Sequence, residues 1–139
     1  MTKTIIADSD ALIGLLNKND NNSAKATDIL EELIRQEVKL LYPVTTIAEA
    51  TTTIQRKLSQ PLLAPELIEL IDTNELSIEP VDENILKEAI ILFKPKGSKQ
   101  NTLFDAIVAV IAKKHKADAI FSFDKWYEKL GFKLASNLF

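Results

Sequence analysis

The chain alternates between short apolar runs and longer stretches in which apolar residues recur at helical spacing. The runs predict strands at residues 4–7, 39–44, 77–80 and 117–123, with a last edge strand at 132–135. The longer stretches predict helices over residues 8–16, 23–34, 46–57, 66–72, 82–93, 101–115 and 124–131. The helix that opens at residue 101 or 102 is apolar on most sides, so we expect it to be the central, buried one.

Alternating strands and helices predict the α/β class, because consecutive parallel strands need a crossover connection between them. We expect a three-layer α/β/α sandwich around a central, mainly parallel sheet of four to five strands. No repeat, low-complexity stretch or linker divides residues 1–139, which predicts a single domain.

Composition narrows the chemistry and the compartment. The 139 residues include no cysteine, which excludes disulfides, thiolate zinc sites and a cysteine nucleophile, and fits a reducing compartment. The N-terminus lacks the features of a signal peptide, and no apolar stretch approaches the roughly 18 residues that cross a bilayer. We therefore expect a cytoplasmic protein without membrane association.

Charge is unevenly distributed along the chain. The formal net charge is −3, but residues 1–90 carry 8 basic against 16 acidic residues, and residues 91–139 carry 9 lysines against 4 acids. The lysine-rich third predicts either a phosphate-attracting face or an ordinary solvated surface, and charge alone leaves both open.

Four acids stand where a strand ends or a helix begins: Asp8, Glu49, Asp105 and Asp124. In a parallel sheet the carboxyl ends of the strands and the starts of the following helices share one edge, where ligands bind. Carboxylates gathered at that edge repel one another unless hard cations lie between them, and oxygen-only ligands favour Mg²⁺ or Mn²⁺. The pattern predicts metal-assisted phosphoryl chemistry.

Each of these acids also has a purely structural interpretation. Two of them match the capping box, in which an acid bonds back to the amide of a threonine three residues earlier: Thr46 with Glu49, and Thr102 with Asp105. The other two could be ordinary N-caps. A fifth acid, Asp10, either assists the site or favours the first turn of its helix through the dipole, and we favour the second interpretation.

Four ordered motifs span essentially the whole chain: Asp8-Ser9 before an apolar helix, Thr46-Ile47-Ala48-Glu49, Phe104-Asp105-Ala106-Ile107-Val108-Ala109, and Phe121-Ser122-Phe123-Asp124 before Leu130-Gly131. Together they resemble the PIN domain family, and especially the small VapC-type ribonucleases of toxin–antitoxin operons. Two positions depart from the family pattern. Asp10 stands where a small or amide residue is more usual, and Trp126 where a further acid is often found, so the number of metal ions stays open.

The resemblance implies a metal-dependent endoribonuclease, the toxin of a type II toxin–antitoxin pair. RNA phosphodiester bonds would be hydrolysed by water activated on Mg²⁺ or Mn²⁺. Asp8, Asp105 and Asp124 would be direct or water-mediated ligands, and Glu49 would hold a second ion or a bound water. All four acids are therefore the expected catalytic residues.

The same resemblance assigns supporting roles to other residues. Ser9 and Ser122 occupy the family's hydroxyl positions beside the first and last acids, where they would orient carboxylates, and Asp10 lies beside them. Three lysines would hold the RNA backbone: Lys99, Lys113 and Lys125. We expect His115, which ends the long helix, to lie on the surface or to assist the helix C-terminus rather than to act as a base.

The expected partners are RNA, a cognate antitoxin and a second copy of the chain. Six apolar residues predict either a surface for a homodimer or an antitoxin, or an ordinary helical hairpin: Leu62, Leu63, Leu67, Ile68, Leu70 and Ile71. Four aromatic residues are expected to serve packing, although exposed ones could stack on bases or hold a partner peptide: Trp126, Tyr127, Phe132 and Phe139.

Two other functions compete with this interpretation. Asp8-Ser9-Asp10 after a strand is similar to the haloacid-dehalogenase-like phosphatases, whose first aspartate is a nucleophile. That pattern needs threonine or valine where Leu12 stands, and no lysine motif followed by paired late acids occurs. The second alternative is a PIN-like fold that serves as a non-catalytic protein-binding or RNA-binding module. The intact acids argue against it, since a scaffold has no reason to crowd carboxylates together.

Overall fold

The centre of the fold is a sheet of four parallel strands. The computed structural model describes residues 2–93 and 101–139. The strands are β1 (Thr4–Ala7), β2 (Lys39–Pro43), β3 (Ile78–Glu79) and β4 (Ala119–Phe121). They lie side by side in the order β3-β2-β1-β4, and every pair is parallel. The predicted parallel sheet is confirmed, and each strand falls within its predicted run.

Helices cover both faces of this sheet. Within the described ranges they are α1 (Ser9–Leu16), α2 (Ser23–Arg35), α3 (Val44–Lys57), α4 (Leu63–Asp72), α5 (Glu83–Leu92), α6 (Leu103–Lys114), α7 (Trp126–Lys129) and a 3₁₀ helix (Ala135–Asn137). The pleat of a strand sends successive side chains to opposite faces. In β1, Ile5 and Ala7 accordingly pack with α1 to α4, while Ile6 packs with α5 to α7. This confirms the three-layer α/β/α sandwich.

Helix α6 is the buried helix that its apolar sequence predicts. Every residue from Asp105 to Ala112 is buried. Its start carries the predicted capping box, formed by Thr102 and Asp105. The opening of α5 is also confirmed as predicted, because the Asp82 side chain accepts the backbone N–H of Ile85 at 2.9 Å. Burial of α6 on most sides fixes the position of Asp105 relative to β1.

The predicted last strand at residues 132–135 is wrong. Only an isolated bridge forms there, between Ile120 and Leu134, with the Ile120 N–H donating to the Lys133 carbonyl at 2.9 Å. The chain then turns into the 3₁₀ helix that begins at Ala135, so the ladder cannot extend. Leu134 and Ala135 are nevertheless buried in the core. Their burial explains the apolar pattern of this segment without a strand.

The apolar residues of α4 and the turn before it divide between core and surface. Leu63 and Leu67 are buried, as a helical hairpin requires, whereas Leu62 and Ile68 are exposed. Among residues 2–93 and 101–139, no helix has both the length and the apolar character of a bilayer span.

Candidate functional site

Five acids converge at the carboxyl edge of the sheet. Their elements place them there: Asp8 directly after β1, Asp10 in α1, Glu49 in α3, Asp105 in the first turn of α6, and Asp124 after β4. Each is linked to another by electrostatic repulsion or by a shared neutral hydrogen-bonding partner. The structure therefore brings together all four acids that the strand ends predict, and adds the fifth.

Asp8 is the most deeply buried of the five, with 3 % of its surface exposed. It caps α1 as predicted, because its Oδ1 accepts the backbone N–H of Ser9 at 2.7 Å. Its Oδ2 accepts the hydroxyl of Tyr127 at 2.6 Å. Burial, followed by the charges of Asp10 and Asp105, raises the pKa of Asp8 well above its usual value. A cation at this point would relieve that penalty.

Glu49 does not form the predicted capping box with Thr46. Helix α3 begins at Val44, directly after the strand residue Pro43, so Thr46 lies inside the first turn. Its hydroxyl instead donates to the carbonyl of Ala7 at 3.0 Å, which fastens α3 to the end of β1. The Glu49 carboxylate is left to accept the Ser9 hydroxyl at 2.6 Å. Burial, together with the charges of Asp105 and Asp10, raises the pKa of Glu49.

Asp105 combines its capping role with a place in the cluster. Its Oδ2 accepts the backbone N–H of Thr102 at 2.9 Å, and its Oδ1 lies 3.5 Å from the Tyr127 hydroxyl. The side-chain amide of Asn101 donates to Asp124 Oδ2 at 2.8 Å and lies 3.4 Å from Asp105 Oδ2. Burial and the nearby charge of Asp124 raise the pKa of Asp105. Asn101 thus bridges two like charges with a neutral donor.

Asp10 does more than favour the first turn of α1, the role that its position in the sequence predicts. Its Oδ2 accepts the Ser122 hydroxyl at 3.0 Å and the backbone N–H of Phe123 at 2.8 Å. Burial raises the pKa of Asp10, and these hydrogen bonds lower it in part. Asp10 therefore ties the segment that carries Asp124 to the start of α1.

Asp124 is held by its neighbours rather than by a helix that begins at its own position. Its backbone N–H donates to the Ser122 hydroxyl at 3.1 Å, and its Oδ1 accepts the N–H of Trp126 at 2.9 Å. Helix α7 begins at Trp126, two residues later than the sequence predicts, because the side chain of Asp124 first closes this turn.

The side chains of the cluster offer oxygen atoms only as ligands. In the part of the chain that the structure describes, none of the five acids forms a salt bridge. Buried carboxylates without a cationic partner are costly, and Mg²⁺ or Mn²⁺ is the cation that such ligands prefer. The donor chemistry therefore fits a hard divalent cation.

The described side chains are not arranged as a complete set of metal ligands. Within residues 2–93 and 101–139, no three histidine, cysteine, aspartate or glutamate side chains are arranged as a ready site for a metal ion. The carboxylates are turned instead towards neutral donors, among them Tyr127, Asn101 and Ser9. The less buried carboxylates of Glu49 and Asp124 would need to rotate to direct their oxygens at an ion held by Asp8 and Asp105.

The predicted RNA-binding lysines fall into three different situations. Lys125 is exposed and directly follows Asp124. It lines an open groove of about 600 Å³ together with Lys25, Phe123 and Phe139. Lys113 is exposed eight residues after Asp105 in α6, about 12 Å further along the helix axis. Lys99 lies outside the described residues.

His115 lies at the end of α6 away from the acids and is half-buried there. It caps the C-terminal end of α6, and its Nε2 is 2.7 Å from Glu79 Oε1 on the edge strand β3. Asp105 is at the opposite end of the same helix. His115 therefore fastens α6 to the edge of the sheet and has no contact with the carboxylates.

Sequence reasoning missed Tyr127 and Asn101. The sequence predicts a packing role for Tyr127, and its ring is fully buried, but its hydroxyl also reaches the acids. The sequence contains one signal for this role of Tyr127. A buried tyrosine usually needs a hydrogen-bond partner for its hydroxyl, and Tyr127 lies only three residues after Asp124, beside the predicted cluster. Asn101 precedes the cap of α6, where an amide with two N–H groups can serve two acceptors.

Comparison with known proteins agrees with this architecture. A family model described as PIN domain matches residues 5–133. No protein with a curated description matches the chain. The solved structure of VapC20 from Mycobacterium tuberculosis, a toxin that cleaves the sarcin–ricin loop, is similar with a TM-score of 0.77 and 16 % identity. The match covers 92 % of this chain and 95 % of that one.

Two further solved structures share the fold. FitAcB from Neisseria gonorrhoeae has a TM-score of 0.63 at 18 % identity, covering 96 % of this chain and 99 % of that one. VapBC2 from Rickettsia felis, solved with a DNA fragment from its promoter, has a TM-score of 0.64 at 15 % identity. It covers 94 % of this chain and 96 % of that one. At these identities the likeness shows the shared fold alone.

Proposed function

The chain belongs to the PIN domain family, whose members are typically nucleases that use divalent metals, and from that premise we propose that it is an endoribonuclease dependent on Mg²⁺ or Mn²⁺. We further propose that it is the toxin of a type II toxin–antitoxin pair. One observation carries the proposal: the acids of the four family motifs meet at one edge of the sheet, and none of them forms a salt bridge within residues 2–93 and 101–139. Cytoplasmic RNA is the corresponding substrate class.

Asp8, Asp105 and Asp124 would hold the cation, and Glu49 would hold a second one or a water beside it. The chemistry that such a cation supplies when bound is a lowered pKa for an attacking water and stabilisation of charge on the phosphate. Asp8 and Asp105 are buried and hydrogen-bonded on fixed elements, and such rigid placement would suit a cation with strict geometric demands.

Hydroxyl groups and Asp10 hold this arrangement in place. Ser9 orients the Glu49 carboxylate through its 2.6 Å hydrogen bond. Ser122 joins Asp10 to the backbone of Asp124, so the last acid is positioned by the first helix. These residues act through the carboxylates and do not themselves need to touch RNA.

The RNA backbone would be held beside the acids by the exposed Lys125, which adjoins Asp124. The groove that Lys125 shares with Lys25 also contains Phe123 and Phe139, so it offers positive charge and aromatic surface to a strand leaving the site. Asp28 and Glu32 also line this groove. Because carboxylates repel phosphates, the RNA backbone would run along the side of the groove that carries the lysines. Lys113 would contact RNA only at a distance from the reacting bond, and Lys99 keeps its proposed backbone role.

An antitoxin and a second copy of the chain are the proposed protein partners. The exposed Leu62 and Ile68 are candidates for either contact. The phosphatase alternative loses its support with the family assignment. The non-catalytic module remains the rival, and a cleavage assay separates the two.

The purified chain is expected to cleave structured RNA in Mg²⁺ or Mn²⁺, to stop in EDTA, and to recover when the cation is restored. A hairpin with the sarcin–ricin loop, the target named for VapC20, is a suitable first substrate beside total RNA. Product ends are read by sequencing. An Asp105→Asn preparation purified in parallel controls for contaminating ribonuclease. Intact RNA at every Mn²⁺ concentration would favour the non-catalytic module.

A further inference from the structure

Tyr127 places a neutral hydroxyl between two of the proposed ligands. The residue lies on α7 and has no exposed surface. Its hydroxyl donates to Asp8 Oδ2 at 2.6 Å and lies 3.5 Å from Asp105 Oδ1. Asp8 follows β1, the first strand, whereas Asp105 lies in α6, late in the chain. This one hydroxyl therefore links the N-terminal part of the fold to its late helices.

The position of this hydroxyl is fixed by packing. The Tyr127 ring is part of the core formed with α5 and α6, and Trp126 packs edge-on against it with ring centres 5.3 Å apart. A side chain with no free surface in a close-packed core cannot swing away without displacing its neighbours. The direction of the hydroxyl therefore dictates the direction of the Asp8 carboxylate.

The Asp8 carboxylate keeps binding capacity while it is held. Its Oδ1 accepts from the Ser9 backbone at 2.7 Å and its Oδ2 accepts from Tyr127. The Ser122 hydroxyl also lies 3.5 Å from Oδ2. Each carboxylate oxygen has two acceptor sites, so Oδ1, which accepts from the Ser9 backbone alone, keeps one site for a cation. Carboxylates that bind metals are usually held by such hydrogen bonds, which fix their orientation.

We propose that Tyr127 is a positioning residue for the divalent cation, because its hydroxyl fixes the Asp8 carboxylate opposite Asp105 so that both can bind the same ion. This inference rests on the proposed function, which supplies the cation. The proposed link between Asp8 and Asp105 is made by Tyr127, a residue that belongs to none of the four acid motifs.

Electrostatics is consistent with this role. Burial, followed by the charges of Asp8 and Asp105, raises the pKa of Tyr127 well above its usual value, so its hydroxyl remains a donor. Burial raises the pKa of Asp8, whereas the hydrogen bond from Tyr127 lowers it and so favours the charged form that binds cations.

The chain contains a matched control in Tyr42, its other tyrosine. Tyr42 is buried on β2, and burial alone raises its pKa to about 12, without a contribution from any acid of the cluster. Tyr42→Phe and Tyr127→Phe therefore each remove one hydroxyl from a buried tyrosine, but only the second removes a hydrogen bond to a proposed ligand.

Calorimetric titration of the purified variants with Mn²⁺ tests the proposal. We expect Tyr127→Phe to bind Mn²⁺ about 10–100-fold more weakly than the wild type, the range typical of lost partners of metal ligands. Tyr42→Phe should bind as the wild type does. Raising Mn²⁺ should restore the kcat for RNA cleavage by Tyr127→Phe, since the ligands themselves are intact. Unchanged or tighter binding by folded Tyr127→Phe would overturn the proposal.

The same titration distinguishes a failure of the proposed function from a failure of the positioning role of Tyr127. A wild-type chain that binds no Mn²⁺ would overturn the proposed function as well, whereas a wild type that binds it with the affinity of Tyr127→Phe would overturn only the positioning role. If Tyr127→Phe does not fold, near-ultraviolet difference spectra of Tyr42→Phe decide, because Tyr127 is then the only tyrosine. Addition of Mn²⁺ should change its absorption band, and an unchanged band would count against the proposal.

Discussion

Replacement of Asp105 by asparagine is expected to lower Mg²⁺-dependent RNA cleavage by more than about 100-fold, since even the loss of a partner of a metal ligand costs about 10–100-fold. The fold should survive, because an asparagine oxygen can still accept the Thr102 N–H that Asp105 accepts at 2.9 Å. The asparagine N–H₂ can in turn donate to the Tyr127 hydroxyl. Asp8→Asn should lose cleavage for the same reason.

Without added metal, these variants should be as stable as the wild type or more stable. Each removes one charge from a cluster of mutually repelling carboxylates that has no salt bridge within the described residues. Thermal melts in EDTA measure this directly. A clear loss of stability would mean that the carboxylates are held by attractive contacts that exceed their repulsion.

Asp118→Asn is the matched control for both variants. Asp118 precedes β4 at the opposite edge of the sheet, where its Oδ2 accepts the Thr4 N–H at 2.8 Å. It is an aspartate that accepts a backbone N–H, like Asp105, but it has no place in the cluster. It should keep full cleavage activity. Retained Mg²⁺-dependent cleavage by both Asp8→Asn and Asp105→Asn would dispose of the assigned site.

The second large effect that we expect is a dependence of stability on pH. In EDTA the wild-type chain should be more stable near pH 5 than near pH 8. Burial raises the pKa of four acids above the ordinary values of 3.8 and 4.5, namely Asp8, Asp10, Glu49 and Asp105. Between those ordinary values and the raised ones, the folded chain binds more protons than the unfolded chain. Its free energy of unfolding must then fall as pH rises through the raised pKa values.

Urea unfolding in EDTA from pH 5 to pH 8 measures this slope. We expect the free energy of unfolding to fall across this range, because each buried acid that releases its proton in the folded state loses the stabilisation that its raised pKa supplied. Asp8 should contribute most, since it is the least exposed of the four. Saturating Mn²⁺ should flatten the slope, and so should Asp8→Asn. Stability that rises steadily from pH 5 to pH 8 in EDTA would contradict the repulsive cluster.

The convergence of the acids could be predicted from sequence because it follows from topology. Parallel strands end at one edge, so an acid that follows β1 and an acid that follows β4 must approach each other. The capping box of Thr102 and Asp105 was predictable for a local reason, since both partners lie within one helical turn. Local spacing and strand order were sufficient for these features.

The remaining features depend on tertiary contacts that spacing does not encode. Thr46 matched a capping box, but α3 begins directly after Pro43, and the Thr46 hydroxyl faces the end of β1 instead. Tyr127 and Asp8 are 119 positions apart, so no local pattern joins them. The role of Asp10 likewise depends on Ser122 and Phe123, which only the closed sheet brings near.

The central claim is that carboxylates from separate elements share a divalent cation, and Mn²⁺ electron paramagnetic resonance tests it most directly. The free-ion signal should disappear on addition of the wild-type chain or Asp118→Asn, and should persist with Asp105→Asn at the same concentrations. A free-ion signal that the wild type leaves unchanged, or that Asp105→Asn removes equally well, would contradict the account.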